Sequence, residues 1–412
     1  MDDFFNVLQL EDLVKILEAM PVLGLEELPL DRSRGRFLAG DIQASEDLPA
    51  THRSAMDGYA VRAEDTFGAG ESNPAYLEKI SDLEICDVPG FFLSAGECAG
   101  IVTGGVLPHG ADAVVMQEYT QEMGQGTVEV RRPVAPNENV MLRGEDVSHG
   151  QTALETGQCI GFRQTAMMAA LGIKSCFYYK APRVGIISTG DELIEIDKPA
   201  EPGRIRDVNT HALRHLVLEE GGVPVTYGIV GDREKDLCLM LDRALEENDV
   251  LLISGGSSVG QRDFTLKAMQ AVSGLEIIAH GLAISPGKPT IFARKNHKYI
   301  WGLPGQVGSV QVVMLVLVLP FLRHLQGAAA PFVWEEKSLV RARLSRNLAS
   351  RYGRRDYVRV RLEEHGRGYV AVPVLGKSGL LRTVIRADGL IQIPANSEGL
   401  LKGEEVRVRI LG

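Results

Sequence analysis

At 412 residues the chain is too long for one compact core, so two to four domains are expected. Its composition, 45% hydrophobic and 24% charged, is that of an ordinary soluble protein, and its formal net charge of −10 excludes nucleic acid as a bulk electrostatic partner while leaving room for a local basic pocket. The five cysteines, at 86, 98, 159, 176 and 238, include no Cys-x-x-Cys, which excludes a zinc ribbon or dithiol motif and fits buried thiols in a reducing cytoplasm.

The start, Met1-Asp2-Asp3-Phe4-Phe5, has no basic region and no long apolar run, so no signal peptide is expected. Residues 10–20 carry apolar positions at helical spacing and predict an amphipathic helix. Residues 45–148 are rich in glycine and proline with short apolar runs, the pattern of short strands and turns. Within them Arg53-Ser54-Ala55-Met56-Asp57-Gly58-Tyr59-Ala60-Val61 sets one carboxylate, Asp57, between apolar neighbours. Taken alone, Asp57-Gly58 reads as a hairpin turn. Further on, Thr103-Gly104-Gly105 offers a hydroxyl and backbone donors, and Arg143-Gly144-Glu145-Asp146 a second acidic cluster.

Residues 161–172 read as helix. From 183 onward strands and helices alternate: strands at 183–188, 223–230, 250–254 and 299–303, helices near 208–221, 234–247, 263–272 and 307–325. Such alternation predicts a mostly parallel sheet covered by helices on both faces, with ligands beyond the strands' carboxyl ends. The most apolar run, 310–322, is broken by Gln311 and Pro320 and reads as a buried helix too short to cross a bilayer. After 328 short strands at 357–362, 369–374, 390–394 and 406–411 predict a small β-barrel or sandwich.

Three loops at predicted strand ends hold the chemistry. In the first, Ser188-Thr189-Gly190-Asp191-Glu192, Asp191 either caps a helix or serves a site. The second is Ser254-Gly255-Gly256-Ser257-Ser258-Val259-Gly260. Its glycines let backbone N–H groups cradle an anion, and Asp263 beyond them either caps the following helix or holds a divalent cation near phosphates. The third is Ser285-Pro286-Gly287-Lys288-Pro289, which holds a lysine on a stiff turn as a point charge for phosphate or oxyanion, with Leu303-Pro304-Gly305 shortly after. Asp232 ends another strand. Of Asp207 and Asn209, capping explains one. His211 and His215, four apart on a helix, have no third ligand in reach and read as helix surface.

Taken together and in order, the segments 54–61, 101–115, 144–146, 182–193, 228–232, 254–263, 286–289, 303–305 and 376–394 resemble the molybdopterin molybdenumtransferase (MoeA-like) family, which includes the gephyrin E domain. The resemblance implies four domains. These are a linker and dimerisation domain (1–44 with 149–178), a glycine-rich second domain (45–148), an α/β molybdopterin-binding domain (179–328) and a C-terminal β-barrel domain (329–412). It implies a cytoplasmic homodimer that inserts molybdenum from molybdate into adenylylated molybdopterin, with Mg²⁺, and releases AMP. Its implied partners are a molybdopterin adenylyltransferase and an apo-molybdoenzyme, with no nucleic acid and no membrane.

By the same resemblance Asp57, Thr103 and Asp146 reach a cleft from one subunit, and Glu192, Asp232, Asp263 and Lys288 line it from the other. Glu192, Asp232 and Asp263 form the implied metal set. Ser188, Thr189, Gly190, Ser254, Gly255, Gly256, Ser258, Gly260, Pro304, Gly305 and Ser309 bind substrate, while Lys288, Arg354 and Ser378 match anion-binding positions. The chain departs from the family in two places. It has Gln306-Val307-Gly308-Ser309 where the family reads Asn-Pro-Val-Ser, and Ser285 where many members carry lysine. Losing one cation weakens an oxyanion site by on the order of 1 kcal/mol. A tungsten-inserting paralogue and a cofactor-delivery scaffold are the implied alternatives.

Overall fold

The structure is a computed structural model that describes residues 7–255, 259–366 and 368–411; side chains of 259–263 lie outside the description. At its centre is a six-stranded sheet in the order Val223–Val230, Arg183–Thr189, Val250–Gly255, Lys298–Leu303, Ile291–Lys295, Glu276–His280. The first four strands run parallel, and the last two add an antiparallel hairpin. That hairpin lacked the apolar run that announces a strand: Ile291–Lys295 ends in Arg294 and Lys295, and Glu276–His280 sits at the sheet's edge.

The three strands 183–189, 250–255 and 298–303 are buried almost throughout because helices cover both faces. Alternate side chains serve opposite layers. Ile186, Leu252, Trp301 and Phe292 face the helices that hold Leu213, Val217 and Phe321, whereas Ile187, Leu251, Ile253 and Ile300 face those that hold Leu241 and Met269. The helices are Asn209–Glu219, Glu234–Glu247 and Val259–Ala271, the last beginning four residues before its predicted start. The N-terminal helix Leu10–Glu18 buries Leu10, Leu13 and Leu17 in the first of these layers.

The helix predicted at 307–325 forms over that span, extending past the apolar run 310–322 at both ends. Val307–Leu325 forms 19 continuous helical residues, by length and composition enough to cross a membrane, yet 72% of that stretch is buried within the protein. Its middle, Met314–Val318, is a π-turn. Pro320 has no N–H to donate one turn back, and the widened turn accommodates the missing bond. The Leu315 carbonyl inside it accepts from Arg409 Nη1 at 2.9 Å. Phe321 packs against Tyr299 and Phe292 with ring centroids 4.9 and 5.8 Å away. Phe321→Ala is therefore expected to cost about 3–5 kcal/mol, read from the chemical denaturation midpoint.

Residues 45–148 carry a second six-stranded sheet, in the order Ala113–Met116, Gly58–Val61, Glu97–Ile101, Ala75–Leu83, Thr127–Val130, Thr120–Glu122. Gly58 is not a turn glycine. It opens a strand, opposite Ile101 on one side and Met116 on the other, where a Cβ would stand 1.9 Å from the Val115 carbonyl oxygen. In a separate two-stranded sheet Leu25–Pro29 pairs antiparallel with Ser175–Tyr179, joining segments 150 residues apart from Leu25 to Ser175 in sequence.

The C-terminal strands Leu339–Leu344, Arg355–His365, Gly368–Pro373, Gly389–Ile393 and Glu405–Ile410 close into a five-stranded barrel, because Arg355–His365 pairs with both 368–373 and 389–393. Val360, Ala371, Ile391, Ile393 and Val408 fill it. The thiols differ from expectation: Cys98 is buried, but Cys86 and Cys159 are exposed. His211 and His215 are exposed as read, with His215 beside Glu219 at 3.2 Å.

Candidate functional site

All four parallel strands end on one edge of the sheet, and the predicted loops gather there. A cavity of about 590 Å³ is lined by Thr189, Glu192, Asp207, Asn209, Ser254, Gly255, Gly305 and Gln306, with Arg204 and Arg206 at its side. Two glycines in it are dictated by space. A Cβ on Gly255 would lie 1.9 Å from Thr189 Oγ1, and Gly190 adopts φ +151° with the Glu192 carboxylate folded over it. Asp191 caps no helix, since a turn and the short strand Leu193–Ile194 follow it. Its carboxylate accepts the Asp232 N–H at 3.0 Å, and Asp232 accepts the Asp191 N–H at 3.3 Å, which locks the two loops together.

The division of labour between Asp207 and Asn209 is also settled. Asp207 accepts the Thr210 N–H at 3.1 Å, an ordinary helix-start bond. Asn209 instead sends its amide nitrogen to Ser254 Oγ at 2.6 Å and to the Gly305 carbonyl at 2.9 Å. Because a carbonyl can only accept, this fixes the orientation of the Asn209 amide. Its oxygen has no hydrogen-bond partner among the described residues. Asn209 thus ties the second loop to the turn at 303–305, and sequence reasoning gave it no such part. Ser188 is fully buried and shares a hydrogen bond with Thr210 at 2.8 Å, so it supports the site without lining it.

A second cavity, about 460 Å³, opens beside the first and shares Gln306 with it. Ser285, Lys288, Pro304, Ser309, Arg351 and Arg354 line it. Lys288 is exposed and its carbonyl accepts the Leu282 N–H at 2.8 Å, while Arg354 is pinned to Asp356 at 2.9 Å. Arg351 was not foreseen. Ser378 lies apart from this lining and offers its carbonyl to the Gly308 N–H at 2.9 Å.

Asp57, Thr103 and Asp146 lie on the second domain, and no residue of 45–148 lines either cavity. Asp57 Oδ1 accepts both the Thr103 N–H (2.6 Å) and the Thr103 hydroxyl (2.8 Å). These bonds hold the Asp57 carboxyl below its ordinary value of 3.8. A depressed carboxylate contributes stability above its unfolded pKa and loses it as pH falls through the folded one. Thr103→Val removes the hydroxyl and keeps the amide, so Asp57 is expected to titrate higher than in the wild type but still below 3.8, measured by carboxyl ¹³C NMR. Thr103→Ser should restore the shift. Gly256 and Ser258 lie outside the described residues; Gly260 and Asp263 fall on the helix Val259–Ala271, with the side chain of Asp263 outside the description.

Three family models match successive stretches of the chain. The MoeA N-terminal region (domains I and II) matches residues 8–172, the "Probable molybdopterin binding domain" 185–324, and the MoeA C-terminal region (domain IV) 341–411. A Methanocaldococcus jannaschii protein assigned to molybdopterin biosynthesis is 38% identical, over 94% of this chain and 92% of its own. A Staphylococcus aureus molybdopterin molybdenumtransferase is 30% identical, over 97% and 94%. The crystal structure of the MoeA protein of Pyrococcus horikoshii superposes with a TM-score of 0.79 at 31% identity, covering 98% of this chain and all of that one. The chain belongs to the MoeA family of molybdopterin molybdenumtransferases.

Proposed function

We propose that this transferase of molybdenum cofactor biosynthesis inserts molybdenum from molybdate into adenylylated molybdopterin and releases AMP. The observation that carries the reading is the pair of cavities meeting at Gln306, one walled by strand-end glycines and two arginines, the other by Lys288, Arg351 and Arg354. The first suits a nucleotide-linked pterin, because glycines expose backbone N–H groups and guanidinium groups match phosphate oxygens. The second suits a tetrahedral dianion, which needs cationic and hydroxyl donors without a bulky wall.

Mg²⁺ fits this donor set. It is usually held by one or two carboxylates together with substrate phosphates, and Glu192 lines the first cavity with the Asp191–Asp232 lock beside it. Glu192 and Asp232, with Asp263, would hold the ion, which when bound neutralises charge on the phosphate. Lys288 orients the oxyanion as a point charge, and Arg354, fixed by Asp356, gives it a directed donor. Asp57 and Thr103 complete the site from a second copy of the chain.

The test is incubation of purified protein with adenylylated molybdopterin, molybdate and Mg²⁺. AMP release with metal insertion is the expected result, and neither occurring rejects the reading. Sharing of the site is tested by mixing Asp57→Asn and Lys288→Ala chains: each alone should be strongly impaired, and the mixture should recover turnover. Continued inactivity of the mixture would place the complete site within one chain. A tungstate preference is favoured by one observation, the altered Gln306–Gly308 loop, and competition between the two oxyanions decides it.

A further inference from the structure

A third cavity, about 650 Å³, lies between the helix Asn209–Glu219, the long helix, the linker 331–338 and the last barrel strand. Leu216, Val310, Leu315 and Leu319 give it apolar walls, and Gln311 and Arg409 add two polar groups. The two residues that break the most apolar run both bear on it. Gln311 lines the cavity, and its Oε1 is buried with no hydrogen-bond partner among the described residues. Pro320 acts one turn back. The Leu319 N–H donates to the Met314 carbonyl, so the next bond of the π-turn would run from residue 320 to Leu315, and proline has no hydrogen to give. The Leu315 carbonyl is left for Arg409 Nη1, at 2.9 Å.

The lysine and the other arginine of the wall have carboxylate partners. Arg323 Nη2 donates to Glu220 Oε1 at 2.7 Å, and Lys337 lies 2.6 Å from Glu335. Arg409 makes no ion pair among the described residues; it meets a carbonyl and the Trp334 ring, 5.2 Å from the ring centroid. Burial, with Arg323 adding to it, holds the Arg409 guanidinium below its ordinary value. A carboxylate supplies the missing charge and can take two N–H bonds from one guanidinium. A phosphate dianion suits the cavity less well, because Glu220 and Glu335 stand in the same wall.

We propose that this cavity binds a small amphipathic monocarboxylate, with its acid group on Arg409, an N–H or O–H donor on Gln311 and its apolar body against Leu216, Val310 and Leu319. The cavity shares Val307 with the strand-end cavity and no residue with the basic one.

The test uses the full chain and indole-3-acetate as the probe, which carries one carboxylate, one N–H and a flat apolar ring. Calorimetry should show saturable binding of one probe per chain at submillimolar concentration. Indole, which lacks the acid, should bind roughly tenfold or more weakly. Arg409→Met should reproduce that loss, and Arg409→Lys, with the charge but no fork, should fall between. Gln311→Leu should weaken indole-3-acetate roughly fivefold and leave 1-methylindole-3-acetate, already without the N–H, unaffected. Lys288→Ala should bind the probe as the wild type does. If Arg409→Met fails to fold, Arg409→Lys and the comparison of probes on the wild type decide the matter. No saturable binding, equal affinity for indole and indole-3-acetate, or a loss on Lys288→Ala in place of Arg409→Met overturns the inference. Binding that emerges only when an oligomer is dissociated shows a second copy covering the cavity, and overturns it too.

Discussion

Lys288→Ala is expected to lower molybdate-dependent AMP release by roughly a hundredfold while leaving the denaturation midpoint where it was. The side chain is exposed, so its removal opens no hole in the core. What is lost is a point charge on the wall of a cavity that a dianion would enter. Arg351 and Arg354 remain, but Arg354 is already engaged by Asp356, so they compensate only in part. Lys288→Arg should recover part of the activity, since it keeps the charge but brings a planar fork in place of a compact ammonium. The readout is the molybdate dependence of AMP release at two salt concentrations. An Ala variant that responds to molybdate as the wild type does would remove the oxyanion from this cavity.

Gly255→Ala is expected to destabilise the α/β domain by about 3 kcal/mol or more and to abolish turnover. The new methyl would meet Thr189 Oγ1 at 1.9 Å and the Thr189 carbonyl oxygen at 2.4 Å. The hydroxyl can rotate away, but the carbonyl belongs to a parallel strand paired to this one, so the sheet itself must part. The parting would occur at the edge where Thr189, Ser254 and Gly305 face the cavity. Gly40→Ala serves as the control, because nothing lies within 4 Å of its Cβ position and its stability should change by no more than about 0.5 kcal/mol. Chemical denaturation of the two variants side by side measures the difference.

Much of the site could be read in advance because its residues sit where pattern and chemistry coincide. The loops at 188–192, 254–255 and 304–305 each follow a run buried on both faces, and such runs announce parallel strands whose ends face ligands, whereas 285–289 was marked by its lysine between prolines. Thr189, Ser254, Gly255, Pro304, Gly305 and Lys288 stand out from such patterns, Glu192, Ser309 and Arg354 only from the family resemblance, and all of them line the two cavities. The roles of Asn209 and Arg359 were not legible. Asn209 looked like a helix cap because the local sequence shows only what precedes the helix, whereas its partners Ser254 and Gly305 are 45 and 96 residues away. Arg359 went unremarked in the sequence, where it is one more arginine on a barrel strand; in the structure it is buried and bonded to the Gly308 carbonyl.

The sequence by itself determined the alternation of strands and helices, the barrel at the end, and the ordered motifs that mark the family, because periodicity and glycine placement are local properties of the backbone. The tertiary structure alone decided which loops share a cavity, that Gly58 and Gly308 are glycines of close approach, and that the Arg359 guanidinium meets the Gly308 carbonyl. Those outcomes depend on which surfaces meet across long sequence separations, and steric fit between distant segments leaves no periodic trace in either of them.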